Sequence, residues 1–330
     1  MKTAVVILNW NGRKLLEQFL PSVVECSAEA EIYVADNAST DDSVAFLQYQ
    51  YPRIKIIQNR INGGFAKGYN DALRNLKEDI LILLNSDVAV TPGWLAPLEE
   101  EFRKNSKVAA VQPKIMDYKR KHLFEYAGAA GGFLDQFGYP YCKGRIFETL
   151  EQDHGQYDQS SEVFWASGAC LGLRREAFEK AGGFDEDFFA HQEEIDLCWR
   201  FFNLKLLVMT SGFSTVYHLG GGTLEHQSPQ KTFLNFRNNL YTLVKNLPSE
   251  RLWLIIASRL FLDGLAGLKF LADGKPEHCL AVIRAHFSFY GNFSLMYRRR
   301  GTIVKRKDYY HRTSILQLYF LKKKKIFSKL

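Results

Sequence analysis

The sequence predicts an α/β fold on a doubly wound, mostly parallel sheet, and three observations carry that prediction. Short apolar runs recur between Ala4 and Val111, stretches with helical spacing separate them, and polar Asx residues close several of the runs. Strands alternating with helices in this rhythm build a parallel sheet covered on both faces.

Ala4-Val5-Val6-Ile7-Leu8 is the first strand, apolar throughout as a strand buried on both faces is. Asn11-Gly12 breaks it, and residues 14–24 show helical spacing. Residues 32–35 form a second strand, closed by Asp36-Asn37 and followed by a helix start at Ser39-Thr40-Asp41-Asp42. Residues 54–57 make a third strand, 65–76 a helix, and 80–84 a fourth strand that ends in Asn85-Ser86-Asp87. A fifth strand covers 108–111. Residues 118–160 are rich in Gly and aromatics and predict a long excursion over the sheet rather than a separate domain. Regular structure resumes over 163–173, a short helix over 175–180 closes at Gly182-Gly183, and 195–202 is helical. Residues 206–209 form a strand and 214–218 are extended.

Beyond Pro229 the chain is mainly helical. Residues 253–272 are strongly apolar, yet Arg259, Asp263 and Lys269 interrupt them, whereas a spanning helix needs about 20 nearly uncharged residues. The stretch is amphipathic. Packing on the preceding domain and lying in a membrane interface are both open, and the basic tail favours the interface. The expected division is 1–245 for the α/β domain and 246–330 for a helical, basic appendage.

The 330 residues are 46% hydrophobic and 24% charged, which excludes a disordered or repetitive chain. The net charge of +7 gathers near the end, in Arg298-Arg299-Arg300, Lys305-Arg306-Lys307 and Lys322-Lys323-Lys324-Lys325. Such a tail suits nucleic acid or an anionic membrane surface, or is simply solvated. No nucleic-acid recognition motif accompanies it, which argues against nucleic acid as a partner. Five scattered cysteines form no CxxC, and with no export signal they predict a reducing, cytoplasmic compartment.

In an open α/β sheet the ligand sits at the carboxyl ends of the strands, where this chain places Asn9, Asp36, Asn37, Asn59, Asn85, Ser86 and Asp87. Asx residues also close strands and cap helices, so each alone is ambiguous. Asn9-Trp10-Asn11-Gly12-Arg13 stands where a dinucleotide fold needs G-x-G-x-x-G, and no P-loop is present, so a dehydrogenase or P-loop enzyme is disfavoured. Phosphate would then be neutralised by a divalent cation, Mg²⁺ or Mn²⁺, for which Asp87 is placed. A turn-capping role for Asp87 stays open. Asn62-Gly63-Gly64-Phe65 enters a helix that continues through Lys67 and Asn70, and adjacent glycines there permit close backbone approach and exposed helix amides. Residues 182–200 place His191, Glu193 and Glu194 behind aromatics, the setting in which a carboxylate works as a general base. His218, before Gly220-Gly221-Gly222, is a metal ligand or a structural histidine.

Taken in order, the stretches 5–12, 34–39, 62–70, 83–88, 167–169, 183–200 and 216–218, with Arg237-Asn238, resemble the family 2 glycosyltransferases, inverting enzymes of the GT-A fold. The resemblance covers roughly the first 245 residues and is nearest the bacterial surface-polysaccharide, rhamnosyltransferase-like members. It implies transfer of a sugar from a UDP- or dTDP-sugar to a hydroxyl of a glycan or lipid-linked acceptor. It further implies that Asp36 accepts from the nucleotide base, and that Asn9, Asn11, Asn37, Asn62, Gly63, Gly64, Phe65, Lys67, Asn70, Asn85 and Ser86 line the nucleotide-sugar pocket. Asp87 matches the last Asp of the family's D-x-D metal motif, here Asn85-Ser86-Asp87, and His218 matches a position that completes the metal shell. Ser167, Gly168, Ala169 and His191 fall on the acceptor side. Glu193-Glu194 stands where the family has Glu-Asp, which points to Glu194 as base and Glu193 as the residue that orients the acceptor. Lipid-linked glycan assembly would place the protein peripherally at the inner face of the cell membrane. An inactive scaffold on this fold would be expected to lose Asp87, Glu193 or Glu194, and all three are present.

Overall fold

The computed structural model describes residues 1–220 and 228–330, so Gly221 and Gly222 lie outside the described residues. Its first strands are β1 (Thr3–Asn9), β2 (Glu31–Asp36), β3 (Lys55–Gln58) and β4 (Ile80–Asn85). They lie parallel in the order β4-β1-β2-β3. Strand pleating sends alternate side chains to opposite faces. Val5 and Ile7 of β1 therefore meet Leu16, Leu20 and Val23 of α1 (Arg13–Cys26) on one face. Ala4 and Val6 join Tyr69 and Ala72 on the other. Both faces are covered, which is why β1 and β4 are uninterrupted apolar runs.

The helices α2 (Ser43–Gln50) and α3 (Gly64–Leu73) connect these strands. Beyond β4 come β5 (Val88–Val90), α4 (Leu95–Lys104) and β6 (Val108–Asp117). The excursion over residues 118–160 carries its own four-stranded antiparallel sheet, made of β7 (Gly132–Leu134), β8 (Pro140–Cys142), β9 (Arg145–Ile146) and β10 (Thr149–Leu150). The chain then returns through β11 (Ser161–Val163), β12 (Cys170–Arg174) and α5 (Arg175–Lys180). After α6 (Glu193–Asn203), β13 (Leu207–His218) completes a nine-stranded main sheet of order β11-β13-β6-β12-β4-β1-β2-β3, with β5 beside β13. Strands β1, β2, β3, β4, β6 and β13 run one way, and β12 runs against them between β4 and β6. The two extended pieces expected at 206–209 and 214–218 are one strand, bent by a register shift between Ser211 and Thr215.

Three helices follow: α7 (Pro229–Asn246), α8 (Ser249–Ala272) and α9 (Pro276–Arg298). Among the described residues no helix is long and apolar enough to cross a membrane. Residues 299–330 return to the α/β domain instead of standing free. Arg299 pairs with Asp185 and Asp187, and Arg300 is buried, donating to the carbonyls of Val244 and Leu247. Phe327 stacks on Phe133, and its N–H donates to Glu151. Exposed stretches remain, among them residues 301–304 and Lys322 to Lys325, but the tail is not a free terminus.

One buried cation ties these parts together. Lys245 Nζ lies 2.6 Å from Asp185 and 2.8 Å from Asp196, and Asp196 also accepts from Arg200 and Asn246. Replacing Lys245 with Met removes the cation that Asp185 and Asp196 share and leaves each with a single guanidinium, Arg299 and Arg200. Stability to urea is expected to fall by about 3–5 kcal/mol. A Lys245→Met protein as stable as wild type would show that the network is dispensable.

Candidate active site

The carboxyl ends of the parallel strands build one wall of a cleft. Asp36, 3% exposed at the end of β2, accepts from Asn9 Nδ2 at 3.1 Å and from the Ser39 amide at 2.9 Å. Each carboxylate oxygen keeps a further lone pair. Asn9 Oδ1 is buried without a partner among the described residues. Asn11, at φ 49°, accepts from the Thr40 amide and holds the β2–α2 turn in place. Asn37 donates to Asn62 and to the Gly64 carbonyl and accepts from Asn59, so the amides of this wall orient one another.

The entry to α3 departs from the expectation of open helix amides. The Gly64 N–H donates to Asn62, and the Phe65 N–H to the Phe189 carbonyl at 2.7 Å. Gly64 adopts φ 71°, and a Cβ there would stand 2.3 Å from the Phe189 oxygen. Gly63 and Gly64 thus allow the 189 turn to seat on α3. Lys67 pairs with Asp71 and Glu186, and both ends of the Asn70 amide are bound to the Phe184 backbone. These two side chains hold the 184–189 segment and do not line the cleft with free polar groups.

Asn85 and Ser86 are half-buried at the end of β4, and the Asn85 amide donates to the Ala169 carbonyl. That bond brings Ser167-Gly168-Ala169 against the Asn85-Ser86-Asp87 turn, and Phe65 packs on Gly168. Gln112, fully buried on β6, accepts from the Ser167 amide and fixes this loop.

Asp87 and His218 converge, with Asp87 Oδ1 3.1 Å from His218 Nε2. Glu125, from the excursion, lies 3.3 Å from His218 Nδ1. Burial alone would lower the imidazole pKa, but the Glu125 and Asp87 carboxylates raise it to about 10. Glu125 fixes the ring orientation from behind, the arrangement common to metal-ligating histidines. Among the described residues no three or more His, Cys, Asp or Glu side chains form a complete metal cage. The two carboxylates favour positive charge at this point, and Asp87 with His218 could ligate a cation once the imidazole gives up its proton, the other ligands coming from phosphate and water as for Mg²⁺ and Mn²⁺. Glu125 was missed in the sequence. It sits 93 residues from His218, inside a Gly-rich excursion that carries no motif for it.

The start of α6 carries a second acidic group. Glu193 and Glu194 are its first two residues, and Oε2 of each is buried without a partner among the described residues. Burial pushes Glu194 up to about 7, and burial with the neighbouring Glu194 charge raises Glu193 well above the usual range. The approach to α6 is strained, because Phe189, His191 and Gln192 all have positive φ. Such residues cost about 1–3 kcal/mol each and persist only when their surroundings hold them. Here α7 does so. Asn238 Nδ2 donates to the carbonyls of Phe188, Ala190 and His191, and Arg237 donates to those of Asp187 and Phe188. His191 is kept neutral, its pKa lowered to about 4 by burial and by Lys231.

The arrangement can seat a nucleotide on the β1–β2 wall, a cation at Asp87 and His218, and a proton acceptor at Glu194. The sequence profile of the family described as Glycosyl transferase family 2 matches residues 4–182. An N-acetylglucosaminyl-diphospho-decaprenol L-rhamnosyltransferase of Mycobacterium tuberculosis H37Rv is 26% identical over 243 residues, 68% of this chain and 76% of the relative. The fold is GT-A-like. A structure of GalNAc-T7 with UDP, GalNAc and Mn²⁺ superposes with TM-score 0.61 at 15% identity, covering 90% of this chain and 58% of that one. A mannosyltransferase from Pyrobaculum calidifontis with GDP-Man and Mn²⁺ superposes with TM-score 0.54 at 16% identity, covering 88% and 87%. With its profile match spanning more than half its length, the chain belongs to glycosyl transferase family 2 and is a glycosyltransferase.

Proposed function

We propose that this glycosyltransferase moves a sugar, with inversion, from a UDP- or dTDP-sugar to a hydroxyl of a glycan or lipid-linked acceptor in surface-polysaccharide synthesis. The observation that supports the reading is that one chain carries two buried, electrostatically perturbed groups of the kinds such a transfer needs. Asp87 and His218 stand at the strand ends, and the desolvated Glu193-Glu194 pair stands at the start of α6. The Mycobacterium relative, whose name specifies a diphospho-decaprenol substrate and L-rhamnosyl transfer, supports a lipid-linked acceptor and a deoxyhexose donor.

In this reading Asp36, Asn9 and Asn37 hold the nucleotide, and Asp87 with His218 would hold Mn²⁺ or Mg²⁺. A divalent cation there offsets the charge gathering on the departing nucleoside diphosphate. Ser167-Gly168-Ala169 and His191 border the acceptor. Glu194, titrating near 7, takes the proton of the acceptor hydroxyl as that oxygen attacks the anomeric carbon. Glu193 keeps its proton and orients the acceptor. A single displacement with the base opposite the leaving group inverts the anomeric centre, and a product of retained configuration would overturn this mechanism.

The α8–α9 hairpin supplies the membrane contact. Trp253, Leu254, Phe261, Leu265 and Leu268 of α8 are exposed, as are Ile283, Phe287 and Tyr290 of α9. Exposed Lys269, Lys275, Arg284 and Arg298 border this face, and Lys322 to Lys325 add further exposed positive charge. An apolar face rimmed by cations is complementary to an anionic bilayer. The reading places the protein at the cytoplasmic face of the membrane, where a lipid-linked acceptor is reached.

Three outcomes test these assignments. Calorimetry of UDP and dTDP should show Mn²⁺-dependent binding of one of them, lost in Asp87→Ala; metal-independent binding would remove Asp87 from the role. Glu194→Gln should lower turnover by about 10²–10⁴-fold with nucleotide affinity unchanged. Because the base works deprotonated, wild-type kcat should rise as pH climbs through about 7, and a profile flat from pH 5 to 8 would exclude Glu194. Phe261→Glu combined with Phe287→Glu should abolish co-sedimentation with anionic vesicles, and unchanged sedimentation would move the membrane contact elsewhere.

A further inference from the structure

We propose that Arg145 is a phosphate-binding group, placed beside the corner that Glu125 and His218 form. The inference rests on the glycosyl-transfer reading for the identity of the phosphate, but not for the existence of the anion site.

Five Arg and Lys side chains are buried among the described residues, and four of them meet a carboxylate or backbone carbonyl, although Arg259 shares with Arg145 an unpartnered Nε. Lys114 pairs with Asp153 and Asp158, Lys245 with Asp185 and Asp196, and Arg259 with Asp263, while Arg300 donates to two backbone carbonyls. Arg145 is the exception. Its guanidinium lies over the Tyr126 ring, 4.7 Å from the centroid, and its hydrogen bond runs from Nη2 to Cys142 Sγ at 3.3 Å. Nε is buried without a partner, and no carboxylate reaches ion-pair distance among the described residues. Burial keeps the Cys142 thiol protonated, so sulfur does not serve as a counter-ion. Burial opposes the guanidinium charge, but neighbouring Cys142, Tyr126 and Glu125 hold its pKa up, so Arg145 stays charged while Nε still lacks an acceptor.

The local backbone fixes where that anion would sit. Gly144, at φ 86°, brings the chain against the Phe124 ring, where a Cβ would stand 2.5 Å from a ring carbon. The Phe124 amide donates to Glu151, and the Glu151 amide to Gly144. Arg145 is thereby held beside the strand segment bearing Glu125, whose carboxylate is already engaged with His218. Cys142, the contact of Arg145, lies within the fields of both Glu125 and Glu194. Arg145 itself lies in the field of Glu125, so the cation stands beside the corner that Glu125 forms with His218. Its planar fork matches two phosphate oxygens at once.

The phosphate has two sources, the donor's diphosphate and the diphosphate of a lipid-linked acceptor, and calorimetry separates them. Wild type, Arg145→Gln and Arg145→Lys are titrated first with UDP and dTDP in Mn²⁺. Each is then saturated with whichever nucleotide binds and titrated with inorganic pyrophosphate in excess Mg²⁺. Thermal melts establish that each variant is folded, and the Lys variant keeps the charge should the Gln variant be too unstable. Arg145→Gln should weaken one ligand by roughly tenfold to a hundredfold, with Arg145→Lys intermediate. A loss in the nucleotide arm assigns the donor diphosphate, and a loss confined to pyrophosphate assigns the acceptor. Affinities unchanged for both ligands in a folded variant would overturn the proposal. Wild type that binds pyrophosphate through Arg145 but no nucleotide would keep the anion site and sink the glycosyl-transfer reading.

Discussion

The Lys245 ammonium is the point on which the catalytic half of this molecule turns. It joins Asp185, at the start of the acidic turn, to Asp196, on the buried face of α6, from a position at the end of α7. Three segments distant in sequence are thereby locked in one orientation. Low dielectric strengthens each contact and makes any unpaired member expensive, so the cluster holds as a unit. Upstream on the same helix, Asn238 and Arg237 collect the carbonyls of residues 187–191. The strained turn before Glu193 is thus fixed at its base by charge and along its length by amide hydrogen bonds.

The cleft has two halves of different physical origin. Its nucleotide-side wall consists of strand ends, where buried parallel strands stop and polar side chains orient one another. Rigidity there comes from the sheet itself, since β1 pairs on both sides through its whole length. Its other side is assembled from an irregular excursion, a short helix entry and the C-terminal segment. Only the short ladders of β7 to β10 hold the excursion internally, so buried ion pairs and stacked rings join these pieces to one another. Carboxylates with raised pKa values belong on that side, because it excludes water without offering many donors.

This division explains what was legible in the sequence. Strands β1, β2 and β4 announce themselves as apolar runs, and Asp36 and Asp87 follow because strand ends are where ligands meet an open sheet. The Glu193-Glu194 pair was visible as acids behind aromatics at a helix start. Glu125 and Arg145 were not, because their meaning lies in partners they meet, or lack, across long sequence separations. Lys67 and Asn70 count as pocket residues only through the family resemblance, which covers the whole 62–70 stretch. In the fold their side chains turn to Glu186 and the Phe184 backbone. The basic tail read as one uniform run of charge, yet Arg299 and Arg300 find acids and carbonyls that no local pattern reveals.

The return of the last residues onto the excursion bears on how the chain is made. Tyr319 bonds to Thr149, and the Phe327 amide bonds to Glu151, so the small sheet that carries Arg145 is braced by the final dozen residues. Domains fold broadly from the amino terminus during synthesis. Strands β1 to β4 can pair while the ribosome is still translating, whereas the small sheet receives these braces only once residues 319–330 have emerged. A nascent chain short of that point resembles a half-closed hand, its palm of strands set before the fingers have anything to close against.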